Sequence, residues 1–168
     1  MIHSPFLAAS PEKAVPRRVA AGVCQCCGWS GQTRLAPPLS LLARDDTADG
    51  VCLLCWLWLN LQNQSARSGV LAWLPDLSPE SVIHLQREAL RHSLSSQKSA
   101  QREGRQVLIW LARHRREVRA RWKTCSPADF AVLLAETAGP RRAWLRKELT
   151  GCALILPPSA IPDSHLLD

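Results

Sequence analysis

The sequence of 168 residues lacks a long hydrophobic run and lacks a secretory signal pattern. Its most apolar stretch, Val51 to Leu61, already includes Asn60, whereas a membrane-spanning helix needs about 20 apolar residues. The apolar run near the N-terminus, Phe6 to Ala9, is shorter than the core of roughly 7–15 residues in a signal peptide. We therefore expect neither membrane insertion nor export.

The sequence also lacks a glycine-rich loop, because its eight glycines are scattered along the chain. This absence excludes the common phosphate-cradling motifs of nucleotide-binding proteins. The hydrophobic fraction of 46% and the charged fraction of 21% are ordinary for a globular protein. A chain of this length can bury a core of its own, so we expect a folded protein that does not depend on disulfides.

Proline is concentrated at both ends of the chain and divides it into three predicted regions. Residues 1–19 and 157–168 show no helical or strand periodicity, and we expect a flexible N-terminal arm and a flexible C-terminal tail. Residues 20–156 are predicted to form one folded domain. Within it, 20–66 would form a small unit around the cysteines of this region and 67–156 the helical part.

The hydrophobic pattern of the helical part predicts an α+β fold that is mostly helical. Val70 to Leu74, closed by Pro75, is typical of a buried strand. Ser78 followed by Pro79 marks the start of a helix. In all, the pattern predicts about four helices, at Ser78 to about Leu94, Ala100 to Lys123, Ser126 to Gly139, and Arg141 to Leu149. A last extended segment is predicted at Ala153 to Leu156.

Four of the seven cysteines form two pairs with zinc-ligand spacing. Cys24 and Cys27 are separated by two residues, as are Cys52 and Cys55. A two-residue spacer in a tight turn directs two thiolates to one point, and zinc prefers four such ligands at tetrahedral angles. Gly28 follows the first pair and suits the positive φ that such a turn needs. The pattern predicts one structural zinc ion, because four thiolates leave no open position for catalysis.

Other interpretations of the cysteines stay open at the level of sequence. The four could be buried thiols without a metal, since free cysteine is among the most buried residue types, or ligands of an iron–sulfur cluster. Cys26 offers a tighter pairing with Cys24 and could replace a ligand. Cys125 and Cys152 are interpreted as packed thiols. An odd number of cysteines without an export signal favours a reducing compartment.

The positive charge of the chain lies in one segment. Lys98 to Lys123 contains nine Lys or Arg and two Glu, whereas the rest of the chain contains twelve of each sign. Such a run can be a solvated helix face, a surface for an acidic protein partner, or a phosphate-binding patch. The candidate basic patch consists of Arg113, Arg115, Arg116, Arg119 and Arg121.

Five stretches of the chain are similar to one known family. They are VCQCCGW at 23–29, CLLC at 52–55, GVLAWLPDLSPE at 69–80, TCSPADFAVLLAETAG at 124–139 and LILPPS at 154–159. In these motifs the sequence resembles the IcmJ/DotN family of type IVB secretion and related conjugation systems. The resemblance runs through most of residues 20–156 but leaves out the two ends and the gap between the cysteine pairs.

The resemblance implies an HNH-like or treble-clef-like ββα zinc unit in which Cys24, Cys27, Cys52 and Cys55 bind the metal. It also implies a cytoplasmic component of the coupling complex, held at the inner-membrane secretion machinery by its partners. Those partners would be the C-terminal extension of the coupling ATPase and other coupling-complex subunits. Nuclease chemistry needs a general-base histidine, and no histidine lies between Cys27 and Cys55.

Two functions are therefore expected from the sequence. The first is a non-enzymatic adaptor that binds the ATPase extension and helps to recruit substrates. Trp56 and Trp58 are its candidate partner-binding residues, because side chains two positions apart on a helix do not share a face and one of them should be exposed. The alternative is a zinc-containing nucleic-acid-binding protein, or a degenerate HNH nuclease, that acts on transferred DNA through the basic helix.

Overall fold

The computed structural model describes residues 20–35, 50–137 and 139–161. The fold is α+β and mostly helical, as the sequence predicts, with two small antiparallel sheets among the described residues. The predicted N-terminal arm, residues 36–49 of the gap between the cysteine pairs, and the last residues of the predicted tail lie outside the described residues.

The first sheet contains three short strands and carries the first cysteine pair. Its strands are β1 (Ala20–Val23), β2 (Ser30–Leu35) and β3 (Gly50–Val51), in the order β1-β2-β3. Val23 lies opposite Ser30, so the segment between β1 and β2 is a short connection that holds Cys24 and Cys27. Helix α1 (Leu53–Leu59) begins two residues after β3, and all of its residues are buried. The arrangement places both cysteine pairs beside the same sheet.

The second sheet joins two segments that are far apart in the sequence. Strand β4 (Val70–Trp73) pairs antiparallel with β5 (Cys152–Ile155), with Val70 opposite Ile155. Both strands were predicted as extended segments, and all four residues of β5 are buried. The sheet therefore closes the helical part of the chain onto itself.

Hydrogen bonds cover both outer edges of this second sheet. On the β4 side, the N–H groups of Leu71 and Trp73 donate to the carbonyl oxygens of Cys125 and His114, at 2.9 and 3.2 Å. On the β5 side, the buried side chain of Gln86 substitutes for a neighbouring strand. Its Nε2 donates to Leu154 O at 3.0 Å and its Oε1 accepts from Leu156 N at 2.6 Å.

Six helices besides α1 are present in the described residues. The bounds are α2 (Gln64–Arg67), α3 (Pro79–Ser93), α4 (Lys98–Arg113), α5 (Arg115–Trp122), α6 (Pro127–Glu136) and α7 (Gly139–Glu148). The predicted cap of α3 is confirmed, since Ser78 Oγ accepts from Ser81 N at 3.1 Å. Proline occupies the first turn of both α3 and α6, as expected.

The structure corrects two details of the predicted helices. The helix predicted from Ala100 to Lys123 is interrupted at His114, whose freed carbonyl oxygen accepts the N–H of Trp73. Ser126, the predicted first residue of the third helix, lies just before α6, and its side chain forms no capping hydrogen bond. The Thr124 hydroxyl instead accepts from Ser126 N at 3.1 Å and donates to the Asp129 carboxylate, which links the residue before the helix to its first turn.

One buried core connects the cysteine pairs to the helical part. It includes α1 and buried residues of α3, α6 and β5. It also reaches Ala160 and Ile161, at the end of a 3₁₀ turn formed by Pro158–Ala160. The tail predicted to be flexible from residue 157 is therefore packed through Ile161, because these apolar side chains cover the core. Across the described ranges, every helix is too short or too polar to cross a lipid bilayer.

Candidate metal centre

The first cysteine pair lies in a tight turn between β1 and β2. Cys24 N donates to Trp29 O at 2.8 Å, and Gly28 N donates to Cys24 O at 2.9 Å. Gly28 has a φ of 71°, while a Cβ at this position would have open space around it. The glycine is therefore required by the backbone conformation and not by crowding, which confirms the prediction made for it.

The second cysteine pair is positioned by the start of α1. Cys52 is the residue before the helix and Cys55 lies in its first turn. The N–H of Cys52 points to Cys24 Sγ at 3.2 Å, and Gln25 N donates to Gly50 O at 3.0 Å. These contacts bring the two pairs together although at least 24 residues separate them in the sequence.

The four predicted ligands converge on one point. The Sγ atoms of Cys24, Cys27, Cys52 and Cys55 all lie within 4.8 Å of one another, and all four residues are buried. The Sγ atoms of Cys27 and Cys52 are 3.8 Å apart. A tetrahedral site with sulfur about 2.3 Å from the metal has sulfur–sulfur edges of about 3.8 Å. The donor set therefore fits a tetrahedral metal ion.

The protonation of the cluster is shared among its sulfurs. Hydrogen bonds from neighbouring thiols, that of Cys26 first, hold the pKa of Cys24 well below its usual range. Hydrogen bonding to Cys24 raises the pKa values of Cys52 and Cys55, and burial acts in the same direction. A metal ion would replace the protons of the four thiols, because the thiolate is the form that binds metal.

Cys26 lies beside the four ligands without belonging to the group of converging sulfurs. It is buried, with 4% of its surface exposed, and its hydrogen bond to Cys24 raises the pKa of its own thiol. The structure therefore places Cys26 as a hydrogen-bonding neighbour of the cluster. Of the two thiols expected to be packed elsewhere, Cys152 is buried and Cys125 is partly exposed.

Two residues of α3 approach the first cysteine pair, and sequence reasoning did not assign them to the site. His84 Nε2 donates to Cys27 O at 2.8 Å. Arg87 is only 2% exposed, and its guanidinium carbon lies 3.7 Å from the centroid of the Trp29 ring. The charge of Arg87 lowers the pKa of Cys52, against the larger effect of the hydrogen bond to Cys24. A buried cation thus stands next to a cluster that becomes anionic when its thiols ionise.

The structure corrects the expectation that Trp56 or Trp58 is exposed. Each has 5% of its surface exposed, because α1 is surrounded by protein on all sides and has no solvent face. Neither side chain is available to anchor a partner. The tryptophans with substantial exposure among the described residues are Trp73, Trp110 and Trp144.

The basic patch is exposed, but its members differ in their surroundings. Arg113 is the last residue of α4, while Arg115, Arg116, Arg119 and Arg121 belong to α5. All five residues are exposed. Arg121 forms an ion pair with Glu148 of α7, so part of its charge is compensated within the protein.

The centre has the composition of a structural metal site. Within residues 20–35, 50–137 and 139–161, these four cysteines are the one group of potential donor side chains arranged to hold a metal ion. Four sulfur ligands would complete a tetrahedral shell, and burial keeps solvent from it. No protein-family model and no curated protein matches this chain.

Proposed function

We propose that this protein is a zinc-containing, non-enzymatic adaptor of a type IV coupling complex. It binds the C-terminal extension of the coupling ATPase, together with other coupling-complex subunits, and helps to recruit substrates. The observation that carries the proposal is the buried group of four cysteine sulfurs, which would leave a bound metal no open position. The resemblance of the sequence motifs to the IcmJ/DotN family supplies the identity of the complex.

Zinc is the proposed metal because of the donor set. Four thiolates in tetrahedral arrangement select zinc or an iron–sulfur cluster. A zinc ion would be bound by the four thiolates alone, without inorganic sulfur in the buried site. Bound zinc would join the turn after β1 to the start of α1. Its role would be to hold these two segments together, as in other small zinc-stabilised units.

The surroundings of the centre also support a function other than catalysis. His84 contacts the first cysteine turn, where its Nε2 hydrogen is donated to the carbonyl oxygen of Cys27. The Nε2 nitrogen of this histidine is therefore engaged in a structural hydrogen bond with the cysteine turn and is not free to accept a proton. We place the protein in the cytoplasm, at the inner-membrane machinery through its partners, where unpaired thiols persist.

Nucleic-acid binding is the second candidate, and one observation favours it. The side chains of Arg113, Arg115, Arg116 and Arg119 are all exposed around the break between α4 and α5. Exposed arginines of this density can follow a phosphate backbone. In this case affinity for DNA would fall steeply with salt concentration and would depend on these arginines.

The deciding experiment compares the two partners directly. The purified full-length chain is titrated with the coupling ATPase extension encoded in the same genome and, separately, with duplex and single-stranded DNA. The adaptor function predicts a stoichiometric complex with the extension and no DNA cleavage in the presence of divalent metals. DNA cleavage that is lost with Cys24→Ser, or the absence of any complex with the extension, would overturn it.

A further inference from the structure

A groove lies beside the second sheet, and none of its described lining residues belongs to the metal centre. A cavity of about 520 Å³ is bounded by α4, by the start of β4 and by the segment that follows β5. A second cavity of about 290 Å³ extends toward α5 and the start of α6. Both are lined by Gly69 and Val70. The two cavities thus meet at Gly69 and Val70, and together they are here called the β4 groove.

One end of the β4 groove is apolar. Leu108, Ile155 and Leu156 are buried beneath it, and Pro157 and Pro158 form its far side. Ile109 lies at its rim with 59% of its surface exposed. An exposed isoleucine beside an open apolar cavity is a place where a ligand can bury hydrocarbon surface.

The walls of the same groove are basic. Arg105 and Arg115 line the first cavity, and Arg67, Arg119 and Lys123 line the second. All five side chains are exposed. Neither Asp nor Glu occurs among the described residues that line either cavity. The groove thus combines an apolar floor with walls whose charged lining residues, among those described, are all basic.

We propose that the β4 groove binds a peptide segment of a partner protein that carries acidic residues next to large aliphatic ones. The aliphatic side chains would enter the apolar end beside Ile109. Its carboxylates would pair with the arginines along the wall, especially Arg115 and Arg119, where bidentate pairing is available. Within the proposed adaptor function, the groove is the site for the ATPase segment, and this part of the inference rests on that function.

Two alternative modes of binding are less compatible with the groove. A peptide cannot extend the second sheet, because contacts from Cys125 and His114 cover the β4 edge and Gln86 covers the β5 edge. Recognition must therefore use side chains. A nucleic acid would find phosphate partners, but none of the described lining residues is an aromatic on which a base could stack.

The test uses the full chain and two groove variants with matched controls. Arg115→Glu combined with Arg119→Glu reverses the wall charge, and Ile109→Asp places a charge at the apolar end. Arg102→Glu changes an exposed α4 arginine that lines neither cavity, and Val132→Asp changes an exposed aliphatic residue of α6. Circular dichroism and metal content establish that all four variants are folded.

Calorimetric titration of each variant with the coupling ATPase extension gives the first result. Both groove variants should weaken binding by about tenfold or more, and the controls should bind like the wild type. Binding that is unchanged in the groove variants would overturn the groove as the site while leaving the adaptor function intact.

A second titration uses short synthetic peptides and therefore does not depend on the adaptor function. The probes are an acidic peptide with leucines, the same peptide with serine in place of leucine, a basic peptide with leucines, and a single-stranded DNA of similar length. Selective binding of the acidic leucine peptide supports the groove even if the ATPase extension fails to bind. The proposal would be overturned by equal binding of all peptides or by binding of the DNA alone. It would also be overturned if a peptide of residues 162–168 displaced the acidic leucine peptide completely.

Discussion

Arg87 of α3 stacks on Trp29 of the first cysteine turn, with its guanidinium carbon 3.7 Å from the ring centroid. Both the aromatic face and the nearby thiolates favour a cation at this buried position. Arg87→Met should therefore lower the affinity for zinc by about tenfold, within the range found for residues that support metal ligands. Competition with a chromophoric chelator measures this change, and Arg87→Lys should restore part of the affinity. Equal zinc affinity in both variants and the wild type would contradict the role.

Removal of the metal should unfold the first sheet and the start of α1. Structural zinc binding contributes about 10–16 kcal/mol in small zinc peptides, and here it would join segments that are otherwise held by few hydrogen bonds. Chelator treatment, with metal loss verified by elemental analysis, should lower the melting temperature substantially. Cys24→Ser should reproduce the effect, whereas Cys125→Ser should not. An unchanged melting curve after complete metal removal would exclude a structural role.

Trp56 should contribute to stability and not to partner binding. Its burial within α1 predicts that Trp56→Ala costs about 3–5 kcal/mol in the free energy of unfolding, because a large cavity remains in the core. Trp110→Ala is the matched control, since Trp110 is 46% exposed. Denaturant titration measures both variants. Similar losses for the two would show that α1 is not the centre of the core.

Gly104 lies where α4 crosses α3. A Cβ at this position would be 2.4 Å from Ala89 O and 2.6 Å from Ser93 N, both backbone atoms. Replacing a helical glycine by alanine normally stabilises a helix by about 1 kcal/mol, but Gly104→Ala should destabilise the protein because the helices would have to separate. Gln106→Ala, an exposed substitution in the same helix, is the control in the same denaturant titration. A gain in stability with Gly104→Ala would contradict the close crossing.

The thiol of Cys152 should make the protein less stable at alkaline pH. Burial raises its pKa from the ordinary value of 9.0 to about 11, with a smaller opposing effect of Arg121. Between these two values the unfolded chain loses the proton while the folded chain keeps it, so stability falls as pH rises. The full effect is about 3 kcal/mol. Cys152→Ala should flatten the pH dependence of unfolding between pH 9 and 11. The same slope in the variant and the wild type would contradict this role of Cys152.

The parts of the fold that could be predicted from sequence are those with local causes. Ser78 with Pro79, the cysteine spacing and Gly28 each act within a few residues, and their predicted structures are confirmed. The break at His114 could not be predicted, because it depends on a hydrogen bond to β4, about forty residues away in the sequence.

The surroundings of the metal centre were also beyond sequence reasoning. In α3 the apolar Leu85 is 39% exposed, while the polar Gln86 and Arg87 are buried. Polarity alone favours a solvent-facing position for both residues, but Gln86 pairs with β5 and Arg87 with Trp29. One signal in the sequence could have indicated their burial. Gln86 and Arg87 lie three or four residues from the apolar Ile83 and Leu90, and this spacing places them on the same side of the helix.

A single turn of α3 holds both ends of the described chain. His84 and Arg87 contact the cysteine turn near the N-terminal end, and Gln86 lies between them and holds the backbone after β5 near the C-terminal end. Local fluctuations that shift this turn must disturb both ends together. We therefore expect the amide hydrogens of the cysteine turn and of β5 to exchange in one cooperative opening, although more than a hundred residues separate them along the chain.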